Sequence, residues 1–146
     1  MKFVILWIIT LHTFTALATT KLISQDSLQN FRWQHRLLIT QIDSKNELIK
    51  LQNEVQRHNN DFSDRRLLLL IHINDKTWIL NESTTHSVSL LLSNEVLKVI
   101  NQNLDKVILI GLDGGIKNRF PAKTFNLKQV FNEIDLMPMR RWEIDG

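Results

Sequence analysis

Leu67-Leu68-Leu69-Leu70-Ile71 is an unbroken run of five apolar residues, and no other stretch constrains the fold of this chain as much. A strand with one face in water alternates apolar and polar residues. A parallel strand covered on both faces carries a continuous apolar run of this kind. Leu37-Leu38-Ile39, continuing to Ile42, and Val107-Ile108-Leu109-Ile110 have the same character on a shorter scale. The sequence therefore predicts three buried strands, with amphipathic helices to cover them.

Helical signals fall between these runs. Ser44-Lys45-Asn46-Glu47 fits a capping box, in which Ser44 accepts from the amide of residue 47 and Glu47 reaches back to residue 44. Leu48, Leu51 and Val55 then recur at helical spacing, with Lys50, Asn53 and Glu54 turned outward. Asn59-Asn60-Asp61 is expected to end that helix. Leu92, Val96, Leu97, Ile100 and Leu104 mark a second helix, with Ser93 either its cap or an exposed interior position. Asn126 and Gln129 form a second capping box, ahead of Leu127, Val130, Phe131 and Ile134 on one face. Pro138 is expected to end this last helix.

The remaining segments supply turns. Asp75-Lys76 is expected to fold Thr77–Leu80 back as a hairpin, and 81–87 reads as a polar loop. Gly111-Leu112-Asp113-Gly114-Gly115 is a strong turn signal, and Ile116–Phe120 then reads as an antiparallel strand. The expected fold class is α/β: a thioredoxin-like three-layer sandwich, made of a βαβ unit followed by a helix, a β-hairpin and a C-terminal helix.

The amino end is of a different kind. Lys2 precedes an almost wholly apolar stretch, Phe3–Leu11, and Ala16-Leu17-Ala18 offers the small residues a signal peptidase accepts. Residues 1–18 are expected to be a signal peptide, 19–33 a lead-in segment and 34–146 the domain. The expected location is outside the cytoplasm, periplasmic or secreted, as a monomer with no stable membrane anchor after cleavage. Losing Lys2 leaves 17 of the 18 basic residues against 15 acidic ones. That surplus is too thin for a phosphate-binding stripe, so nucleic acid is not expected as a partner. The chain has no cysteine, which excludes a thiolate nucleophile, a dithiol redox centre and a lipid-modified cysteine from its own residues.

The C-terminal forty residues carry a resemblance. "VILIGLDGGIKNRF" and "FNEIDLMPMRRWE" are similar to the end of the bacterial family called domain of unknown function 4174. The matching positions are Gly111, Asp113, Gly114, Gly115, Lys117, Arg119, Ile134, Asp135, Met137, Pro138, Met139, Arg140, Arg141 and Glu143. Weaker matches are Trp33 and Arg36 before the first strand and Arg65-Arg66 before the second. The resemblance implies an exported domain of the thioredoxin and peroxiredoxin superfold, with relatives in vertebrate secreted matrix proteins and no established activity. Ile42-Asp43-Ser44-Lys45-Asn46 stands where thioredoxins place their cysteine pair. Asp105-Lys106 stands where they place a proline.

Two readings of the terminal motif compete. In one, Lys117, Arg119, Arg140 and Arg141 bind an anion or a partner, since the arginine fork suits carboxylates and phosphates. In the other they pair with Asp113, Asp135 and Glu143, while Met137 and Met139 fill gaps in the core. The near balance of charge favours the second. Asp113–Lys117 lacks the spacing of a phosphate loop. His35, His58, His72 and His86 lack metal-ligand spacing, and His72 is expected to be a satisfied, partly buried histidine. Ser24, Ser44 and Ser93 have no nucleophile setting. Asp43, at a strand end, is the one weak catalytic candidate. Asn81-Glu82-Ser83 is a glycosylation sequon of consequence only in a eukaryotic host. No cofactor or metal is expected.

The expected function is a non-catalytic binding or scaffolding module, with an unidentified protein partner possible. One rival is a peroxiredoxin-related enzyme without thiol chemistry, which a pocket collecting Asp43 and perturbed charges would favour. Another is an envelope or matrix interaction domain, which an exposed apolar patch near Trp78 or Trp142 would favour.

Overall fold

The computed structural model describes residues 27–80, 85–88 and 90–145. The signal segment and the start of the lead-in lie outside the described residues, as does the sequon. A short 3₁₀ turn, Leu28–Phe31, leads into β1 (Arg36–Gln41), α1 (Lys45–Arg57), α2 (Asn59–Asp64) and β2 (Leu67–Ile73). Then come β3 (Lys76–Leu80), β4 (Thr85–Ser87), α3 (Leu90–Asn101), β5 (Lys106–Ile110), β6 (Ile116–Pro121), α4 (Leu127–Asp135) and α5 (Pro138–Asp145).

The sheet is mixed, six-stranded and ordered β4-β3-β2-β1-β5-β6. β1 and β2 are parallel, with Leu38 opposite Leu69. The other neighbours are antiparallel. All seven residues of β2 are buried, as its unbroken apolar run requires. Side-chain alternation splits the core in two. Leu38, Leu69 and Leu109 pack with Val55, Phe62, Val130 and Ile134 from α1, α2 and α4. Leu37, Ile39, Leu70 and Ile108 face the other way, against Leu92, Val96 and Ile100 of α3 and against Phe31. Each such side chain contributes about 1.5–3 kcal/mol relative to exposure. Residues 27–33 pack onto the domain. The Leu28 amide donates to Glu95 at 2.7 Å, and Phe31 is buried.

The caps form as local chemistry dictates. The Glu47 amide donates to Ser44 Oγ at 3.2 Å, and the Gln129 amide to Asn126 Oδ1 at 3.0 Å. Elsewhere the structure corrects the sequence reading. The Glu47 carboxylate accepts from the Asp43 amide, one residue beyond the expected box. Asn59-Asn60-Asp61 does not leave helical structure: after the cap at His58 it opens α2. The β2–β3 turn sits one residue early, on Asn74 and Asp75, which both take positive φ. These are residue types that tolerate a primed hairpin turn. Thr85–Ser87 is not loop but an edge strand on β3. Leu104 lies past α3 and is exposed. Ser93 is neither cap nor exposed. It is buried and bonded to Thr77 Oγ1 at 3.1 Å, which in turn meets His72 Nδ1 at 3.0 Å. Burial lowers the His72 pKa against a smaller opposing effect of Asp75.

Pro138 brings the largest correction. It does follow the end of α4, but it then begins α5. A proline in the first turn loses nothing, because the first amides of a helix have no intrahelical partner.

Candidate functional site

The two ends of the parallel pair β1–β2 carry different chemistry. At the amino end three arginines meet four carboxylates. Arg36, the first residue of β1, is only 1% exposed. Its guanidinium donates to the Arg65 carbonyl at 2.8 Å and to both oxygens of Glu143 at 3.2 and 3.4 Å. Arg65 forks onto Asp135 at 3.0 and 2.7 Å, reaches Asp61 at 3.2 Å and lies 4.9 Å from the Phe131 ring centre. Arg140 donates to the Asp64 carbonyl at 2.8 Å and to the Asp64 carboxylate. It also pairs with Asp135 at 3.4 Å and Glu143 at 3.5 Å. Buried guanidinium groups persist only with partners of this quality.

The charges shift one another. Burial alone would raise the Asp135 pKa, but the hydrogen bond and charge of Arg65, and then those of Arg140, hold it below the ordinary carboxylate range. Burial would lower the Arg65 pKa, and Asp135 outweighs that and leaves it raised.

The motif residues divide between this network and the neighbouring β5–β6 turn. Lys117 pairs with Asp113 at 2.6 Å, and the Gly115 amide donates to Asp113 at 3.1 Å. The Lys117 bond, then that amide, lower the Asp113 pKa. Gly114 has φ +79°, and a Cβ there would lie 2.9 Å from Arg32 Cγ. Arg119 donates to the Asn103 side-chain carbonyl, not to the carboxylates expected of it. Met137 packs against the core, but Met139 is 40% exposed and fills no gap. Arg141 is exposed, with no ion pair among the described residues. Arg36, Arg65, Asp61 and Asp64 are partners that the sequence reading does not supply. Arg36 and Arg65 did match the family weakly, and both stand just before apolar runs. That position puts a charge at a strand's mouth.

At the carboxyl end of β1 lies a cleft of about 680 Å³. Its lining includes the apolar Leu38, Leu51, Val55 and Phe125 and the charged Asp43, Glu47, Lys50, Glu54, Asp105, Lys106 and Lys123. Asp43 is thus brought to a pocket, while Ser44 is occupied as a cap. Lys50 and Lys123 make no ion pair among the described residues. The cleft lining holds neither serine nor histidine. No group of three or more metal-ligating side chains occurs among the described residues. Of the aromatic residues flagged for an interaction surface, Trp78 packs on the core and Trp142 is 81% exposed. No described helix is long and apolar enough to cross a membrane.

A family model described as a domain of unknown function, DUF4174, matches residues 27–143. No curated protein and no solved structure matches the chain.

Proposed function

The chain belongs to the DUF4174 family, and on that premise we propose that it is an exported, thioredoxin-like binding module whose ligand sits in the cleft at the carboxyl end of β1. The cleft carries this reading. A concave site with apolar side chains and charged groups of both signs around them suits a small ligand or peptide that carries charge. Its position beside a strand's carboxyl end is where α/β sheets place such sites. The thioredoxin-like part rests on topology. The four strands β2-β1-β5-β6, with β5 antiparallel to β1 and helices on both faces, follow that arrangement. Export rests on the amino-terminal apolar stretch and Ala16-Leu17-Ala18. Binding without thiol chemistry rests on the absence of cysteine.

The test is an amide-resolved NMR titration of the chain with a library of short peptides and small organic acids. Ligands are expected to shift amides of residues 41–51 and 123–127 together, and Lys123→Glu is expected to weaken those with carboxylates. Hits that map consistently to another surface would remove the cleft from consideration. Turnover of any library member would move the assignment to an enzyme using Asp43 or Glu47.

A further inference from the structure

Helix α5 is amphipathic in the wrong sense. Arg140 and Glu143 face inward and are held by Arg36, Asp64 and Asp135. Trp142 and Ile144 are well exposed, and Met139 partly so. Leu136, just before this helix, is also exposed. Large apolar residues exposed together near one end of a fold mark an interaction surface.

The surroundings indicate what covers it. Arg36 bonds to Glu143 of α5, and its amide donates to the Arg66 carbonyl at 2.8 Å. The Trp33 amide donates to the Leu112 carbonyl at 2.7 Å. Residues 32–36, 65–66 and 140–143 therefore share one end of the sheet. Trp33 is 59% exposed there, with the Arg32 guanidinium over its ring at 5.8 Å. Five carboxylates of this end, Asp61, Asp64, Asp113, Asp135 and Glu143, are engaged in ion pairs. Arg32, Arg66 and Arg141 are exposed and have no carboxylate partner among the described residues. Asp145, exposed on α5, is the opposing charge.

We infer that this end of the molecule docks on an anionic lipid surface, with Trp33 and Trp142 entering the headgroup region and Arg32, Arg66 and Arg141 meeting the lipid phosphates. Exposed tryptophans beside unpaired arginines have the composition of an interfacial anchor. A second copy fits poorly, since a two-fold contact would press these like charges together. Docked this way, the protein would carry the cleft at the opposite end of β1, facing away from the membrane.

The test is sedimentation of the full chain with vesicles of equal parts phosphatidylglycerol and phosphatidylcholine, beside vesicles of phosphatidylcholine alone. The wild type is expected to prefer the anionic vesicles, and added salt is expected to erase that preference. The double variant Arg66→Ala, Arg141→Ala is expected to lose roughly thirtyfold in partition to them. Trp142→Ala is expected to weaken binding as well. Circular dichroism checks that each variant folds, and Arg141→Glu replaces any that does not. Equal sedimentation of wild type and variants would overturn the inference, since the apolar stretch 3–11 or another surface would then be responsible. So would no preference for anionic vesicles. A wild-type dimer that Trp142→Ala converts to monomer would assign the patch to self-association instead.

Discussion

The two ends of β1 use the same kinds of charge to opposite effect. At the amino end, Arg36, Arg65 and Arg140 are largely removed from water, and each guanidinium meets at least one carboxylate and one or more further acceptors. At the carboxyl end, Lys50 and Lys123 line the cleft with no ion-pair partner among the described residues. The difference follows from the cation. The planar arginine fork can satisfy several acceptors at once while buried, whereas an ammonium group is strongly hydrated and keeps to water. One end is thus closed by its own ion pairs, while the other keeps an open cleft.

Breaking the network gives the largest effect. Arg36→Ala should cost about 3–5 kcal/mol, because it leaves Glu143 and the Arg65 carbonyl short of a partner. Arg140→Ala should cost about 2–3 kcal/mol, since its partners Asp64 and Asp135 retain access to water. Urea denaturation measures both. Arg141→Ala should change stability by less than about 0.5 kcal/mol, being a surface substitution. If Arg141→Ala were as harmful as Arg140→Ala, the division of α5 into an inner and an outer face would be wrong.

Gly114→Ala probes the turn beside the network. A side chain at φ +79° is strained, at about 1–2 kcal/mol, while Arg32 can move aside. A loss below about 0.5 kcal/mol would mean that the turn relaxes out of the left-handed region.

Acid sharpens the comparison further. Asp135 and Asp113 have folded pKa values below the ordinary one. Their contribution is therefore complete above the unfolded value, about 3.9, and is lost as pH falls through the folded values. His72 has a lowered folded pKa too, so its contribution is complete above about 6.5 and declines as pH falls below that. Stability measured from pH 8 to pH 2 should show both declines. Asp135→Asn should remove part of the lower one, and His72→Gln part of the upper one, since burial, and then Arg66, lower the His35 pKa as well. A profile for Asp135→Asn parallel to that of the wild type below pH 4 would argue against the pairing of Asp135 with Arg65 and Arg140.

The smallest effects belong to the cleft. Lys50→Ala and Lys123→Ala should shift stability by less than about 0.5 kcal/mol each. A loss of several kcal/mol from either would mean that the carboxyl end is also structural, and the contrast between the two ends would collapse.

The sequence by itself determined five of the six strands and the caps at Ser44 and Asn126. Leu67–Ile71 reads as a strand covered on both faces, and Ser44 and Asn126 cap helices because their acceptors lie three residues from the amides they satisfy. Such signals are short-range, so local chemistry is enough to read them. The terminal motif was legible as a set of charges that pair, but not in its partners. Arg36 and Glu143 are 107 residues apart, and only the register of the sheet, with α4 and α5 folded back toward β1 and β2, brings them within bonding distance. The same holds for Ser93 meeting Thr77, for Thr85–Ser87 finding an edge to pair with, and for the cleft, whose walls come from α1, β1, β5 and the start of α4. Tertiary structure decided these features because an ion pair, an edge strand and a cavity are each defined by which distant segments become neighbours.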